Sequence, residues 1–325
     1  MISVLDPLLT PEDAGEFVRS AQAFGAYRLC AEQEQLEVPY GVGLLPRHDA
    51  VVNFLDTRVQ EGETLEAVGA RTSYFREEYT YGDRTYLHGV AILRDNPAFI
   101  RAARALHDRE VVVPAIVYAN VMLPGQELAV HTDVPEFRGL DRKVVPQWFL
   151  VAMHHSGLFD DYRLPIATAV AYFGETHGGD LVYWPDGIAA APQRFATRHN
   201  TAIVLDTDSV FHGVAPTDAR APLPPLPLGT TLTRAGDHWE LRHESGEVYA
   251  QYDWFALRFS VSWKAYCFAD ENDRRRWADR SDDLRTDEVR TRFVSDLEQR
   301  GINVDADDPQ LGRILIDSYI RFPAS

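Results

Sequence analysis

Beyond residue 111, short apolar runs alternate with turn residues, and this pattern limits the possible folds more than any other feature of the chain. The runs are rich in β-branched and aromatic residues and are bounded by Gly, Pro and Asp, which is typical of strands. They are VVVPAIVYANVML, ATAVAYF, GDLVYW, TAIVLD, DHWELRH, EVYAQY and WFALRFSVSW. Because many short strands with tight turns close into a sandwich or a barrel, the sequence predicts a mainly β core.

Helices are predicted on both sides of this core, so the expected fold class is α+β with a mainly β centre. Thr10 and Asn96 each precede a proline and fit the N-cap position of a helix. The run VVPQWFLVAMHHSG predicts a helix within the β region, and the charged C-terminal stretch predicts amphipathic helices that cap the core. We expect a single domain with mixed support over 1–110, a core over 111–268 that contains an inserted hairpin near 221–252, and helices over 269–325.

Composition argues against several classes of function. The chain has 49 acidic and 32 basic residues, a formal charge of -17, so nucleic acid is not an expected partner. Its two cysteines, Cys30 and Cys267, provide neither a disulfide framework nor a CxxC zinc spacing. We find no run of 18 apolar residues and no signal-peptide pattern, and therefore expect a cytoplasmic protein without a membrane segment.

Three side chains have the chemistry of a metal site. If ELAVHTD is a strand, His131 and Asp133 project to the same face because alternate residues of a strand do so. His212 in FHGVAP follows 79 residues after Asp133, and it can join the pair only if the sheet curls back on itself. Two histidines and one carboxylate that leave open positions are typical of non-haem Fe(II) oxygenases. For an isolated His-x-Asp pair, the alternative is an exposed polar strand end.

An arginine in the last apolar run indicates a binding site for an anion. In WFALRFSVSW, alternation places Arg258, Ser260 and Ser262 on one face of the strand. A guanidinium inside an apolar strand is costly unless it is paired. The partner is either a ligand carboxylate, which suits the two-pronged guanidinium, or a buried Asp or Glu of the protein itself.

The chain resembles the Fe(II)- and 2-oxoglutarate-dependent oxygenases, and in particular their prolyl-hydroxylase-type branch. Four pieces of sequence carry the resemblance in the expected order: LPGQELAVHTD, GGDLVYWPDG, FHGVAP and RFSVSW. The resemblance implies a double-stranded β-helix, the jelly-roll fold that cupins share, over roughly residues 111–268. It also implies that Fe(II), 2-oxoglutarate and O2 take part in the reaction.

By this resemblance, His131, Asp133 and His212 bind Fe(II) and form the catalytic centre. The implied reaction is hydroxylation of an unactivated C–H bond in a small molecule, such as an amino acid or a natural product, with release of succinate and CO2. Halogenating relatives replace the carboxylate ligand with a small residue, so Asp133 favours hydroxylation. Desaturation, cyclisation and epimerisation use the same three ligands.

The resemblance also implies a set of residues for 2-oxoglutarate. Arg258 and Ser260 would bind its distal carboxylate, and Tyr118 and Asn120 on an earlier strand would contact it. The family places the basic residue nearer to the distal histidine than the 46 residues that separate His212 from Arg258 here. Arg220 has the usual spacing but lies in the loop-like TDARAPLPPLP, and Arg258 is therefore preferred.

Two other functions are compatible with the same residues. A cupin-like enzyme could use Zn or Mn as a Lewis acid in an isomerase or hydrolase reaction, without a keto-acid anchor. A non-catalytic acidic binding module would need no metal. The stretch 70–89, ARTSYFREEYTYGDRTYLHG, is either a lid or a strand on the core, and its alternating aromatic residues favour the strand. Sequence leaves open whether the substrate is a free amino acid, a peptide or a natural-product scaffold, and it leaves the oligomeric state open.

Overall fold

The structure is a computed structural model that describes residues 1–30, 64–187, 189–218 and 223–320. Arg220, the alternative candidate for the anchor, lies outside these ranges. None of the helices in the described ranges has the length and apolar character that crossing a membrane requires.

The described residues form seventeen strands, and every strand pair among them is antiparallel. In chain order the strands are β1 (Ser3–Leu5), β2 (Ala26–Leu29), β3 (Phe75–Tyr81), β4 (Arg84–Thr85), β5 (Val111–Met122), β6 (Leu128–His131), β7 (Glu136–Phe137), β8 (Arg163–Leu164), β9 (Ile166–Tyr172), β10 (Leu181–Tyr183), β11 (Gln193–Phe195), β12 (Thr201–Leu205), β13 (His212–Val214), β14 (Thr230–Ala235), β15 (His238–His243), β16 (Val248–Tyr252) and β17 (Arg258–Phe268).

Eight α-helices lie within the described ranges, and two of them begin where the sequence predicts. They are α1 (Pro11–Phe24), α2 (Leu65–Thr72), α3 (Ala91–Arg94), α4 (Pro97–His107), α5 (Gln147–Ser156), α6 (Glu271–Ala278), α7 (Thr286–Gln299) and α8 (Leu311–Tyr319). The Thr10 hydroxyl accepts a hydrogen bond from the backbone N–H of Asp13, and the Asn96 side chain accepts one from Ala98. Both side chains satisfy N–H groups at the start of a helix that lack intrahelical partners.

The core strands form a double-stranded β-helix, as predicted. The main sheet has the order β1-β12-β9-β17-β5-β3-β2-β14-β15-β16, with β4 paired to β3, and a smaller sheet has the order β11-β10-β13-β6. Along the chain, β5, β9, β12 and β17 belong to the main sheet, whereas β6, β10, β11 and β13 belong to the smaller one. This alternation between two facing sheets is the jelly-roll topology, and it brings strands that are distant in sequence side by side.

Two local predictions need correction. The described part of the segment between β13 and β17 contains three strands rather than one hairpin, and β14 pairs with β2 so that the insertion extends the main sheet. Trp254–Ala256, predicted as the start of the last strand, forms a turn of 3-10 helix, and β17 begins at Arg258. The stretch 70–89 contains β3 and β4, which confirms the preferred strand prediction.

Helices brace the outer face of the main sheet and one end of the core. Val261 and Trp263 of β17 pack against helical residues such as Phe17 and Phe99, and the indole N–H of Trp263 donates to the carbonyl of Arg94 at 2.8 Å. The C-terminal helices α7 and α8 form a separate apolar cluster with α5. Because alternate residues of β17 face opposite ways, its even-numbered residues are left to line the space between the two sheets.

Candidate metal centre and its two cavities

Three predicted ligands, His131, Asp133 and His212, meet between the two sheets. His131 ends β6 and is the register partner of His212, the first residue of β13. Asp133 lies two residues beyond the end of β6 rather than within the strand, which corrects the prediction that 127–133 is continuous strand. Its backbone N–H donates to the carbonyl of Thr207 at 2.8 Å, and this contact holds the carboxylate next to the two imidazoles.

The distances within this cluster fit a shared ion better than direct hydrogen bonds. Oδ1 of Asp133 lies 3.7 Å from Nε2 of His131 and 3.7 Å from Nε2 of His212. One ligand atom from each of the three residues lies within 4.8 Å of the others. Separations of 3.7 Å exceed hydrogen-bond length, yet they are less than twice a metal–ligand distance of about 2.1 Å. The cluster can therefore hold one metal ion.

Backbone contacts orient both imidazoles toward this point. Nδ1 of His131 lies 2.7 Å from the carbonyl of Ala129, and Nδ1 of His212 lies 2.9 Å from that of Val210. A carbonyl can only accept, so each Nδ1 carries the proton and each Nε2 is free to bind a metal. Burial, together with His131, lowers the pKa of His212 to about 4. The imidazole is therefore neutral near pH 7, as metal binding requires.

Lys264 is a member of the site that our sequence analysis missed. Its ammonium donates to Oδ2 of Asp133 at 2.8 Å, while Oδ1 of the same carboxylate faces the histidines. Burial alone would raise the pKa of Asp133, but Lys264 and the two imidazoles outweigh it and hold this pKa well below its usual range. The carboxylate is therefore ionised and has one oxygen free for a metal. Lys264 continues the face of Arg258, Ser260 and Ser262, so strand alternation could have identified it.

A second carboxylate, Asp208, is buried behind Lys264. Asp208 is fully buried, and its Oδ1 lies 3.8 Å from the lysine Nζ. Neither of its oxygens has a hydrogen-bond partner within the described ranges. Burial raises the pKa of Asp208 to about 8, although Lys264 opposes the shift. Near neutral pH, Lys264 is therefore paired mainly with Asp133.

A small cavity of about 90 Å³ adjoins the cluster on the side of β5 and β17. The predicted residues Tyr118, Asn120, Arg258 and Ser260 all line it. The Arg258 side chain is buried and donates through Nε to the carbonyl of Gly179 at 2.7 Å and through Nη1 to Ser260 at 3.3 Å. No Asp or Glu within the described ranges forms an ion pair with it, so the alternative of a buried protein carboxylate finds no support there.

Two further features of this cavity suit a bound carboxylate. The ring of Tyr172 lies 5.2 Å from Cζ of Arg258, and its buried hydroxyl interacts with the charge of this guanidinium. By geometry, the hydroxyl has no hydrogen-bond partner in the part of the chain that the structure describes. Gly179 has a φ of +73°, and a Cβ there would lie 2.7 Å from Cδ of Arg258. The glycine pair of GGDLVYW thus leaves room for the arginine, whose pKa is lowered by burial although Tyr172 and Asp180 oppose the shift.

A larger cavity of about 390 Å³ adjoins the same cluster. His131 and Asp133 line both cavities, as do Tyr74 and Tyr118. The walls of the larger cavity combine aromatic residues with apolar residues from β5 and with several charged side chains. The metal cluster therefore lies at the border between two spaces that could each receive a small molecule.

Comparison with known proteins gives similarity only at the level of solved structures. No protein-family model matches the chain, and no curated protein matches it. A Pseudomonas putida prolyl-4-hydroxylase is 12% identical, with 82% of this chain and 91% of that chain covered and a TM-score of 0.39. A Trichoplax adhaerens prolyl hydroxylase in complex with a hypoxia inducible factor peptide fragment is 10% identical, with 85% and 86% covered and a TM-score of 0.44.

A third similar structure is the α-ketoglutarate-dependent carbocyclase SnoK from nogalamycin biosynthesis. It is 8% identical, with 82% of this chain and 80% of that chain covered and a TM-score of 0.43. Since these identities and TM-scores are low, the assignment of the fold rests on the strand topology given above. The descriptions of these structures name prolyl hydroxylases and an α-ketoglutarate-dependent enzyme, so they belong to the superfamily that the sequence motifs resemble.

Proposed function

We propose that this protein is an Fe(II)- and 2-oxoglutarate-dependent dioxygenase that hydroxylates a C–H bond of a small molecule. One observation carries the proposal: a His-Asp-His cluster lies between two cavities, and the smaller cavity contains a buried arginine without a carboxylate partner in the described ranges. When bound, Fe(II) and 2-oxoglutarate would supply the oxidation of the substrate by O2, with release of succinate and CO2.

The protein's own contribution is to hold the metal in one geometry. His131 and His212 present neutral Nε2 atoms because their Nδ1 protons are bound by backbone carbonyls. Asp133 presents a single oxygen because Lys264 occupies the other one. Three protein ligands would leave open positions on an octahedral ion, as a two-atom chelate and O2 require. Asp133 fills the position that a halide would need, which favours hydroxylation over halogenation.

Arg258 and Ser260 would hold the distal carboxylate of 2-oxoglutarate in the smaller cavity. The guanidinium is fixed by the carbonyl of Gly179, so little side-chain entropy is lost when an anion binds. The hydroxyl of Tyr172 is available as a further donor. Tyr118 and Asn120 line the same space and would contact the co-substrate. The larger cavity would then receive the substrate and exclude water from the reacting atoms.

Anaerobic titration tests this proposal. Metal-free protein is mixed with Fe(II) and then with 2-oxoglutarate, and the visible charge-transfer band of an iron-bound keto acid is recorded. We expect the band in the wild type and in His88→Ala, because His88 is exposed and outside the site. We expect no band in His131→Ala, together with a loss of bound metal. Succinate release under air, measured with a panel of small molecules, then tests turnover.

The outcomes separate the competing functions. A wild-type protein that binds Fe(II) but not 2-oxoglutarate would contradict the proposal and favour a cupin-like enzyme that uses its metal as a Lewis acid. A protein that binds neither would favour a non-catalytic binding module. A normal band in His131→Ala would show that the iron lies elsewhere.

A further inference from the structure

Two arginines that line the larger cavity lack an ion-pair partner within the described ranges. Arg76 lies on β3 next to Asn120 of β5, and Arg142 lies in the connection between β7 and α5. Both are half-buried. Many other arginines in the described ranges, such as Arg138 and Arg163, form ion pairs with Asp or Glu. Two guanidinium groups at one cavity that form no ion pair with a described residue therefore require an explanation in a protein with a net charge of -17.

Arg76 is the more constrained of the two. Its Cζ lies 3.8 Å from the centroid of the Tyr118 ring, so the guanidinium stacks on the aromatic face. Within the described ranges, none of its guanidinium N–H groups forms a hydrogen bond. Stacking on an aromatic ring leaves the in-plane donors of a guanidinium unused. Arg76 lines the larger cavity but not the smaller one. Its guanidinium donors are therefore available to a molecule in the larger cavity.

The other charges of this cavity already have partners. Lys264 is paired with Asp133, and Lys143 donates to the Tyr81 hydroxyl at 2.7 Å. Glu136 accepts a hydrogen bond from the hydroxyl of Tyr266 at 2.5 Å. The remaining acid, Asp141, accepts one from the backbone N–H of Lys143. Glu78, two residues along β3, acts on Arg76 only through its charge, and no Asp or Glu within the described ranges forms an ion pair with the Arg76 guanidinium.

The rest of the wall is suited to an apolar body. The apolar residues Val113, Pro114 and Ile116 of β5 line one part of the cavity. The rings of Tyr266 and Trp277 line another part, with their centroids 5.0 Å apart. A ligand that satisfies both parts of the wall has an anionic group at one end and an aromatic or aliphatic body.

We propose that the larger cavity binds a small organic acid, whose carboxylate is held by the Arg76 guanidinium and whose body packs against Tyr266 and Trp277. This inference rests on the proposed function, since it names the substrate class of the same site. Arg142, which lies at the same cavity, supplies a second cation and favours acids over neutral molecules. The bidentate geometry of a guanidinium selects a carboxylate over a single hydroxyl or amide oxygen.

Paired ligands that differ only in charge test the inference. Benzoate, indole-3-acetate and N-acetylphenylalanine are each compared with the corresponding primary amide. Binding is measured by calorimetry under anaerobic conditions, with and without Fe(II) and 2-oxoglutarate. We expect at least one acid to bind about tenfold more tightly than its amide to the wild type, and this ratio to fall to about one in Arg76→Met. Arg76→Lys, which keeps the charge but not the planar donors, is expected to give an intermediate ratio.

Controls separate a binding role from a folding role. Arg101→Met removes an exposed arginine from α4 and should keep the wild-type ratio. Thermal unfolding of the Arg76 variants reports whether the fold is retained, and Arg76→Lys provides the comparison if Arg76→Met is unstable. The inference is overturned if no acid binds more tightly than its amide, or if the ratio survives in a folded Arg76 variant.

The same samples keep this inference distinct from the proposed function. Discrimination that depends on Arg76, in a protein that shows no charge-transfer band with Fe(II) and 2-oxoglutarate, would retain the acid site and refute the oxygenase. A normal band without discrimination between acid and amide would retain the oxygenase and refute the acid site.

Discussion

The two cavities beside the metal cluster each contain an arginine stacked on a tyrosine, but the two pairs differ in how firmly they are held. In the smaller cavity, Arg258 is 3% exposed, lies over Tyr172 and donates to the carbonyl of Gly179. In the larger cavity, Arg76 is half-buried and lies over Tyr118, and its guanidinium forms no hydrogen bond to any described residue. The first arrangement is preorganised for one ligand, whereas the second leaves the guanidinium free to adjust to its partner.

Side-chain contacts, rather than the positions of the strands, explain this difference. Arg258 begins β17, an inner strand that pairs with β5 and β9, and Arg76 belongs to β3, an inner strand that pairs with β5 and β2. The Arg258 guanidinium is held by Gly179 and Ser260, whereas that of Arg76 lies over the Tyr118 ring. A co-substrate that is the same in every turnover suits the fixed site, and a variable substrate suits the more open one.

Among variants that compare the two cavities, replacement of Arg258 by Met is expected to have the largest effect on 2-oxoglutarate affinity. Hydrogen bonds to a charged group contribute about 1.5 to 3 kcal/mol each, so loss of the guanidinium should weaken 2-oxoglutarate binding by about 100-fold or more. Arg76→Met should change it by less than about threefold, because Arg76 does not line the smaller cavity. Anaerobic titration of both variants with 2-oxoglutarate measures the difference. Equal losses would show that the two cavities do not have separate roles.

Asp208 tests the buried charges next to Lys264, at the point where the two cavities meet. Its pKa in the folded protein, about 8, lies above its ordinary value of 3.8, so the folded state retains a proton that the unfolded chain releases. The free energy of unfolding of the metal-free protein should therefore fall as the pH rises from about 4 to about 8, and this contribution should level off above that range. Since each pKa unit corresponds to about 1.4 kcal/mol, this decline should be smaller in Asp208→Asn by up to about 5 kcal/mol.

Urea unfolding at pH 5, 7 and 9 measures this effect. The exposed pair Arg198 and Asp6 offers a control, since Asp6→Asn should leave the slope with pH almost unchanged. A wild-type slope equal to that of Asp208→Asn would mean that Asp208 is ionised in the folded protein.

Lys264→Met tests the contact between Lys264 and Asp133, which lies where the two cavities meet. Without the ammonium, Asp133 can turn both oxygens toward the metal and occupy a position that the 2-oxoglutarate chelate needs. We therefore expect 2-oxoglutarate affinity to fall by about tenfold, with Fe(II) affinity unchanged or higher because a nearby positive charge is removed. Lys143→Met removes a lysine that contacts Tyr81 instead, and it should alter neither affinity. A parallel loss of metal binding in Lys264→Met would show that the lysine positions the whole cluster.

Tyr172→Phe is expected to have the smallest effect. It removes a buried hydroxyl beside Arg258 but keeps the ring on which the guanidinium stacks. One neutral hydrogen bond contributes about 1 kcal/mol, so 2-oxoglutarate affinity should fall by about fivefold. The matched change Tyr118→Phe keeps the ring beneath Arg76 and is compared by the same titration. An unchanged affinity in Tyr172→Phe would mean that this hydroxyl does not contact the co-substrate.

Strand alternation accounts for what sequence alone could predict of this site. Because side chains repeat every two residues along a strand, Arg258 and Ser260 were expected on one face, and Tyr118 and Asn120 on another. The structure places all four around the smaller cavity. Their roles toward 2-oxoglutarate remain a proposal, which the titrations above test.

Other parts of the site depend on contacts that local pattern does not encode. Arg76 in FREEYTY looks like an ordinary charge on a half-exposed strand, and only the pairing of β3 with β5 brings it to the cavity. Asp208 lies in a polar turn, and its burial follows from the packing of distant strands. Asp133 shows the same limit at shorter range, since β6 ends before it and a contact with Thr207 sets its position.

The length of β17 has a consequence for how the site tolerates change. Arg258 and Lys264 lie six residues apart on the same face, a span of about 20 Å at the rise of a strand. One rigid strand therefore sets the spacing between the arginine of the smaller cavity and the lysine that pairs with Asp133. An insertion of one residue between them would turn Lys264 to the outer, apolar face while leaving Arg258 in place. Insertions before Arg258 have no such effect, and the chain accommodates three additional strands there. The chain ahead of β17 can thus be lengthened without disturbing the site, while β17 itself must keep its length.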